Sequence, residues 1–168
     1  MIGNDVIDLR QSLIESNWRR RGFIEKLFTD AEQRLINNYH DPEIMLWILW
    51  SMKEAAYKIY HRQIQIRAYI PKKLSCSIIT LDKGIAKGIV ICSENKYYTK
   101  TLIDTEKIHT TAVLNPENLN RIIEIEKKGI VKNENGVPYL AVFSNNTLKD
   151  ISISHHGRFE HMVTIKEN

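Results

Sequence analysis

The spacing of apolar positions changes character along the chain. The run "DPEIMLWILWSMKEAAYKIY", Asp41 to Tyr60, is apolar around nearly its whole circumference and opens on Asp41, Pro42 and Glu43. An Asp that accepts from free amides, a Pro whose missing amide is harmless there and a Glu at the positive end of the dipole predict a helix start. Upstream, Thr29 and Glu32 in "TDAEQRLI" stand at capping-box spacing and predict a helix from about Asp30 to Asn38. Downstream, "NPENLNRIIEIEKKG" repeats the Asn115 and Pro116 device, stops on Gly129 and predicts a third helix.

Between the second and third of these, "SCSIIT", "GIAKGIVI", "KYYTKTLI" and "IHTTAVL" alternate and are rich in β-branched residues, with "DKG", "SEN" and "DTEK" between them. That pattern predicts an antiparallel meander of about four strands. "NENGVPYLAV" reads as a turn and an extended segment, and "KDISISHHGRFEHMVTI" as two strands meeting at His156 and Gly157. The opening "IGNDVIDL" reads as a strand running into a helix. Strands and helices without a regular βαβ alternation predict an α+β fold, an antiparallel sheet with packed helices, as one domain over residues 1–168.

Composition narrows the class. With 168 residues, 43% hydrophobic, the chain can bury one sizeable core. Its longest apolar run, Ile44 to Trp50, is far shorter than the roughly 20 residues that cross a bilayer. The acidic opening stretch is unlike a secretory signal, and Cys76 and Cys92 fall in no metal or redox spacing, so a cytoplasmic protein with reduced thiols is expected. In that setting the sequon at Asn145 to Thr147 carries no weight. A net charge of +4 allows an anionic partner but falls short of the basic stripe of a nucleic-acid binder, and neither membrane nor nucleic acid is expected as a partner.

Glu54 and Lys58 lie four apart on one face of the long helix, with Trp50, Ser51 and His61, while Lys53 points about 100° away. The plainest reading is an exposed ion pair worth a few tenths of a kcal/mol. The apolar flanks favour another: buried charges need partners, and a metal at the carboxylate with a phosphate at the lysine would supply them. Taken alone, Asp5 and Asp8 read as caps or solvated acids, Arg19, Arg20 and Arg21 as a basic helix face or a dock for an acidic partner, and Ser154 and His155 as strand-end residues. His155, His156 and His161 lack the soft ligands of a zinc site, and no Walker loop, nucleophile elbow or dinucleotide fingerprint is present.

"IGNDVIDL", then "WSMKEAAYK" in a central helix, then "GVPYL" followed by "ISISHHG" together resemble the motif set of the 4'-phosphopantetheinyl transferase superfamily. Their order is similar to that of holo-acyl-carrier-protein synthases, and "RRRGFIEKLFTDAEQRLI" resembles that subfamily's first helical region, whereas the stretch from Leu74 to Leu114 is more similar to the second half of surfactin-type transferases. The resemblance implies Mg²⁺-dependent transfer of the phosphopantetheine arm of coenzyme A to a serine of an acyl or peptidyl carrier protein, releasing adenosine 3',5'-bisphosphate. It implies Mg²⁺ on Asp5 and Glu54, Lys58 at the diphosphate, Glu54 as base for the serine, and Ser154, His155 and Lys53 at coenzyme A. Ile7 stands where surfactin-type enzymes place a further carboxylate, so two direct carboxylates are expected, with Asp8 secondary. Asn4 and His156 replace smaller residues of the family pattern. One copy of each motif implies self-association, with a homotrimer favoured, and Arg19 to Arg21 become a candidate carrier dock. The competing expectation is a non-catalytic carrier or nucleic-acid binding module on the same fold.

Overall fold

The computed structural model describes residues 1–142 and 147–167, so Asn145 and Asn146 of the sequon lie outside the described residues. Strand β1 (Ile2–Asp8) leads into helices α1 (Leu9–Glu15), α2 (Phe23–Leu27), α3 (Asp30–Asn38) and the long α4 (Pro42–Ile64). Strands β2 (Ser75–Asp82), β3 (Ile85–Cys92), β4 (Asn95–Ile103) and β5 (Lys107–Val113) follow. A 3-10 turn (Pro116–Asn120) then precedes β6 (Ile122–Glu124), β7 (Ile130–Lys132), β8 (Pro138–Val142), β9 (Thr147–His156) and β10 (Phe159–Ile165).

The two capping predictions hold. Thr29 and Glu32 form both halves of the capping box at α3, and the Asp41 side chain accepts from the Ile44 amide at 3.2 Å to open α4. Met45 to Leu49, Met52, Ala55, Ala56 and Ile59 of α4 are all buried, which makes it the central core helix that its all-round apolar surface requires. Although α4 is long, no helix of the described residues is long and apolar enough to cross a membrane.

The predicted meander is β2 to β5. β1 adds to it antiparallel beside β5, so the first sheet runs β1-β5-β4-β3-β2. The second runs β6-β10-β9-β8-β7. α4 covers one face of the first sheet; the second sheet meets the opposite face at β1, where the Asn4 amide donates to Ser152 Oγ at 2.9 Å. This is the mixed helix and antiparallel-sheet architecture that the sequence pattern predicts.

The third predicted helix is not there. Asn115 does cap, accepting from the Glu117 amide, but the turn ends at Asn120, and Ile122 to Glu124 pair instead with Val163 to Ile165 of β10. The β-branched Ile122 and Ile123 gain a strand partner, and Ile122 packs with Val163 and Ile165; that tertiary pairing outweighs weak helix propensity. Nor do Arg19 to Arg21 form a helix face: they occupy the exposed turn between α1 and α2, where Arg19 lies over the Trp18 ring and reaches Glu43 at 3.6 Å.

Candidate active site

Gly3 is where the site begins. A Cβ there would overlap the carbonyl oxygen of Ala55, so only glycine lets β1 lie directly on α4. Alternation along the strand then turns Asp5 towards the helix, with Ser51 donating to the Asp5 carbonyl at 3.4 Å. Glu54 and Lys58 follow, one turn apart on that side of α4.

These three groups share one partly dry environment. Burial raises the Asp5 carboxyl to about 7, with the Glu54 charge adding to the shift and Lys58 pulling it back. Burial likewise raises Glu54 against the pull of Lys58, and lowers Lys58 against the pull of Asp5 and Glu54. The Lys58 ammonium donates to the carbonyls of Asn4, at 2.5 Å, and Ile153, at 3.0 Å, so it ties α4 to both sheets. Asp5 Oδ2, by contrast, is buried with no hydrogen-bond partner.

Two clefts meet at Glu54. One, of about 230 Å³, is lined by Asp5, Val6, Trp47, Trp50, Glu54 and His155, among others. The other, of about 440 Å³, is lined by Glu54, Tyr57, Lys58, His61, Arg67 and Gly136, among others. The structure therefore brings Asp5, Glu54, Lys58 and His155 together.

Lys53 and Ser154 are not brought to either cleft. The Lys53 side chain is 1% exposed and pairs at 2.8 Å with Glu32, itself fully buried, while also donating to the carbonyls of Pro71 and Leu74. Its helical phase, one residue before Glu54, turns it about 100° away from that cleft side of α4, where it forms a core ion pair. Ser154 points inward between the sheets and its hydroxyl accepts from Asn4 Nδ2 at 2.8 Å. The strand alternation that exposes His155 is what buries Ser154.

Asp8 has a structural task. It caps α1 by accepting from the Arg10 and Gln11 amides, and Arg158 grips it through Nε at 2.9 Å, a bond that holds its carboxyl well below the usual range. The two departures from the family pattern also acquire reasons. Asn4 bridges to Ser154 and to the His161 carbonyl, and His156 Nδ1 accepts from the Asp8 amide at 2.8 Å. Helical spacing sets His61 on the face of Glu54 and Lys58 without giving it a role, and Arg67, beyond the helix, has no signal but the cluster of basic residues after the apolar part of α4.

Among the described residues no three His, Cys, Asp or Glu side chains gather as a metal cluster. The unpartnered Asp5 oxygen beside Glu54 nevertheless fits a hard cation that takes one or two protein carboxylates and completes its shell from substrate and water. Asp5, Glu54 and His155 line one cleft of a single chain, so the acidic residues and the histidine of the Ser-His motif stand together within one copy.

Comparison with curated proteins gives no match. The model of the 4'-phosphopantetheinyl transferase superfamily matches residues 1–113, which carry Gly3, Asp5, Glu54 and Lys58. A match over two thirds of the chain, with its acidic and lysine motifs converging beside two clefts, places the protein: it belongs to the 4'-phosphopantetheinyl transferase superfamily.

Proposed function

We propose that this protein transfers the 4'-phosphopantetheine group of coenzyme A to a serine of an apo-carrier protein, as a holo-acyl-carrier-protein synthase does. The burial of Asp5, Glu54 and Lys58 where two clefts meet carries this reading. The serine Oγ bonds to the phosphorus on the pantetheine side, the diphosphate bridge breaks, and adenosine 3',5'-bisphosphate leaves. Asp5 and Glu54 would hold Mg²⁺, which when bound neutralises charge on the diphosphate. Lys58, fixed by two carbonyls, presents its ammonium to the diphosphate as a point charge. Glu54 Oε takes the serine proton, a role favoured by its raised pKa. His61 and Arg67 line the larger cleft and suit the nucleotide phosphates, and exposed His155 suits the phosphate side of the smaller one. Trp47 and Trp50 wall that smaller cleft and exclude water.

Incubation with coenzyme A, Mg²⁺ and an apo-carrier protein from the same genome should add the arm's mass to the carrier. Glu54→Gln should cut the rate by roughly 10²-fold or more with the fold retained. No transfer to any of several such carriers would overturn the reading. Light scattering decides the assembly: three chain masses would support the homotrimer, and a single-chain mass with full activity would put the whole site in one copy. Localisation in the cytoplasm and service to fatty-acid synthesis follow from the same reading and are checked by fractionation and by which carrier is modified.

A further inference from the structure

α4 covers only one face of the first sheet, and the other face is open over β2, β3 and the rest of β4 apart from Tyr98, against which the Pro116–Asn120 turn packs. Register fixes what that face presents: Ile85 opposite Leu102, Lys87 opposite Lys100, Ile89 opposite Tyr98 and Ile91 opposite Lys96. Ile85, Ile91 and Leu102 are exposed, as is Ile79 at the β2 bulge. Large apolar side chains collected on one uncovered sheet face mark a surface that binds something.

Charge says what it binds. Lys87 and Lys100 are direct cross-strand neighbours, an arrangement that costs stability unless an anion compensates it. Among the described residues no ion pair reaches Lys87, Lys96 or Lys100, and the nearby acids, Asp82 and Glu94, stand at the hairpin ends. A cleft of about 270 Å³ opens beside the lysine pair, lined also by Thr80, Tyr98, Leu119 and Asn120. A two-fold contact with a second copy would set lysines against lysines in a molecule already at +4, and the next copy of a cyclic trimer would bring another surface of the same cationic chain, whereas carboxylates complement the lysines directly. The occupant is therefore acidic.

The face also reaches the catalytic end of the molecule. The β2–β3 and β4–β5 turns and the β9–β10 turn lie together with the end of β1: Ile103 donates to the Gly84 carbonyl at 2.7 Å, and Arg158 pairs with both Glu106 and Asp8. Val6, which lines the smaller cleft, shares a cross-strand row with His109, Leu102 and Ile85. Leu102 is thus two strands from Val6, roughly 10 Å at ~4.8 Å per strand.

We infer that the open face of β2–β4 is a docking surface for the acidic carrier protein, with carboxylates against Lys87, Lys96 and Lys100 and apolar side chains against Ile85 and Leu102. This rests on the proposed transferase activity and adds a contact surface separate from Arg19 to Arg21. The test is the double variant Lys87→Glu with Lys100→Glu, checked for unchanged thermal unfolding. Its KM for the apo-carrier should rise at least tenfold, with kcat and the KM for coenzyme A unchanged. Wild-type kcat/KM should fall steeply with salt and that of the variant less so. An unchanged carrier KM and salt slope would overturn the inference. If wild type transfers nothing, the activity itself fails, and direct binding of the apo-carrier to wild type and variant then judges the surface: tenfold weaker binding by the variant supports it, equal binding overturns it.

Discussion

Lys53 and Lys58 stand five positions apart on one helix and do different work. Lys53 closes a dry pair with Glu32, whose other oxygen contacts hold the Thr29 and Cys76 amides, so one carboxylate organises the α3 start, α4 and β2. Removing one partner strands the other as an unpaired buried charge, and Lys53→Met should lower unfolding free energy by about 3–5 kcal/mol in denaturant titrations. Asp5 behaves in the opposite sense, because its charge is the destabilising form. Its carboxyl titrates near 7 in the folded chain against 3.8 as the ordinary value, so between those pH values the folded state holds the extra proton and stability falls as pH rises. Asp5→Asn should therefore exceed wild type in unfolding free energy at pH 8 by an amount on the order of a few kcal/mol, read in denaturant titrations, and show no such gain at pH 4. The gap at pH 8 should shrink when wild type is given Mg²⁺ with coenzyme A.

At the scale of elements, contact between β1 and α4 decides whether a site exists. Gly3→Ala would push the strand off the Ala55 carbonyl, which is backbone and has no rotamer to yield. It should cost roughly 1–3 kcal/mol in overpacking and lower transfer activity far more than the stability loss explains, read as kcat at a temperature where the variant is still folded. Capping and alternation made α3, α4, the meander and the terminal hairpin legible, because each is specified by neighbours in sequence. The segment after Asn115 was not legible as β6, since its pairing partner Val163 to Ile165 lies about forty residues away and local cap chemistry points to a helix. The same distinction separates His155 from Ser154: motif matching treats them alike, and the alternation of β9, with its Ser154 face packed on β1, assigns one to the cleft and the other to Asn4.

Across the whole molecule, the two sheets are joined by a polar seam in which Asn4 meets Ser152, Ser154 and the His161 carbonyl, and the His109 ring stacks on His161 with centroids 4.1 Å apart. Burial, with His161, Lys107 and Lys58 adding to it, lowers His109 to about 3 from 6.5. The unfolded chain binds that proton first, so the stability carried by neutral His109 is present above about 6.5 and is lost as pH falls towards 3. His109→Gln should flatten the acid side of the stability curve measured by thermal unfolding between pH 4 and 7. The sequence by itself determined the α+β class, the capped helices and the meander, since residue type and spacing encode these locally, whereas Asp5, Glu54 and Lys58 stood out only through the resemblance of their motifs to a family. Only the tertiary structure decided that Lys53 and Ser154 belong to the core, that Asp8 belongs to Arg158, and that the acidic and histidine motifs share one cleft of one chain. Those outcomes depend on which face each side chain turns to, and that is set by strand register and by how closely β1 can lie on α4.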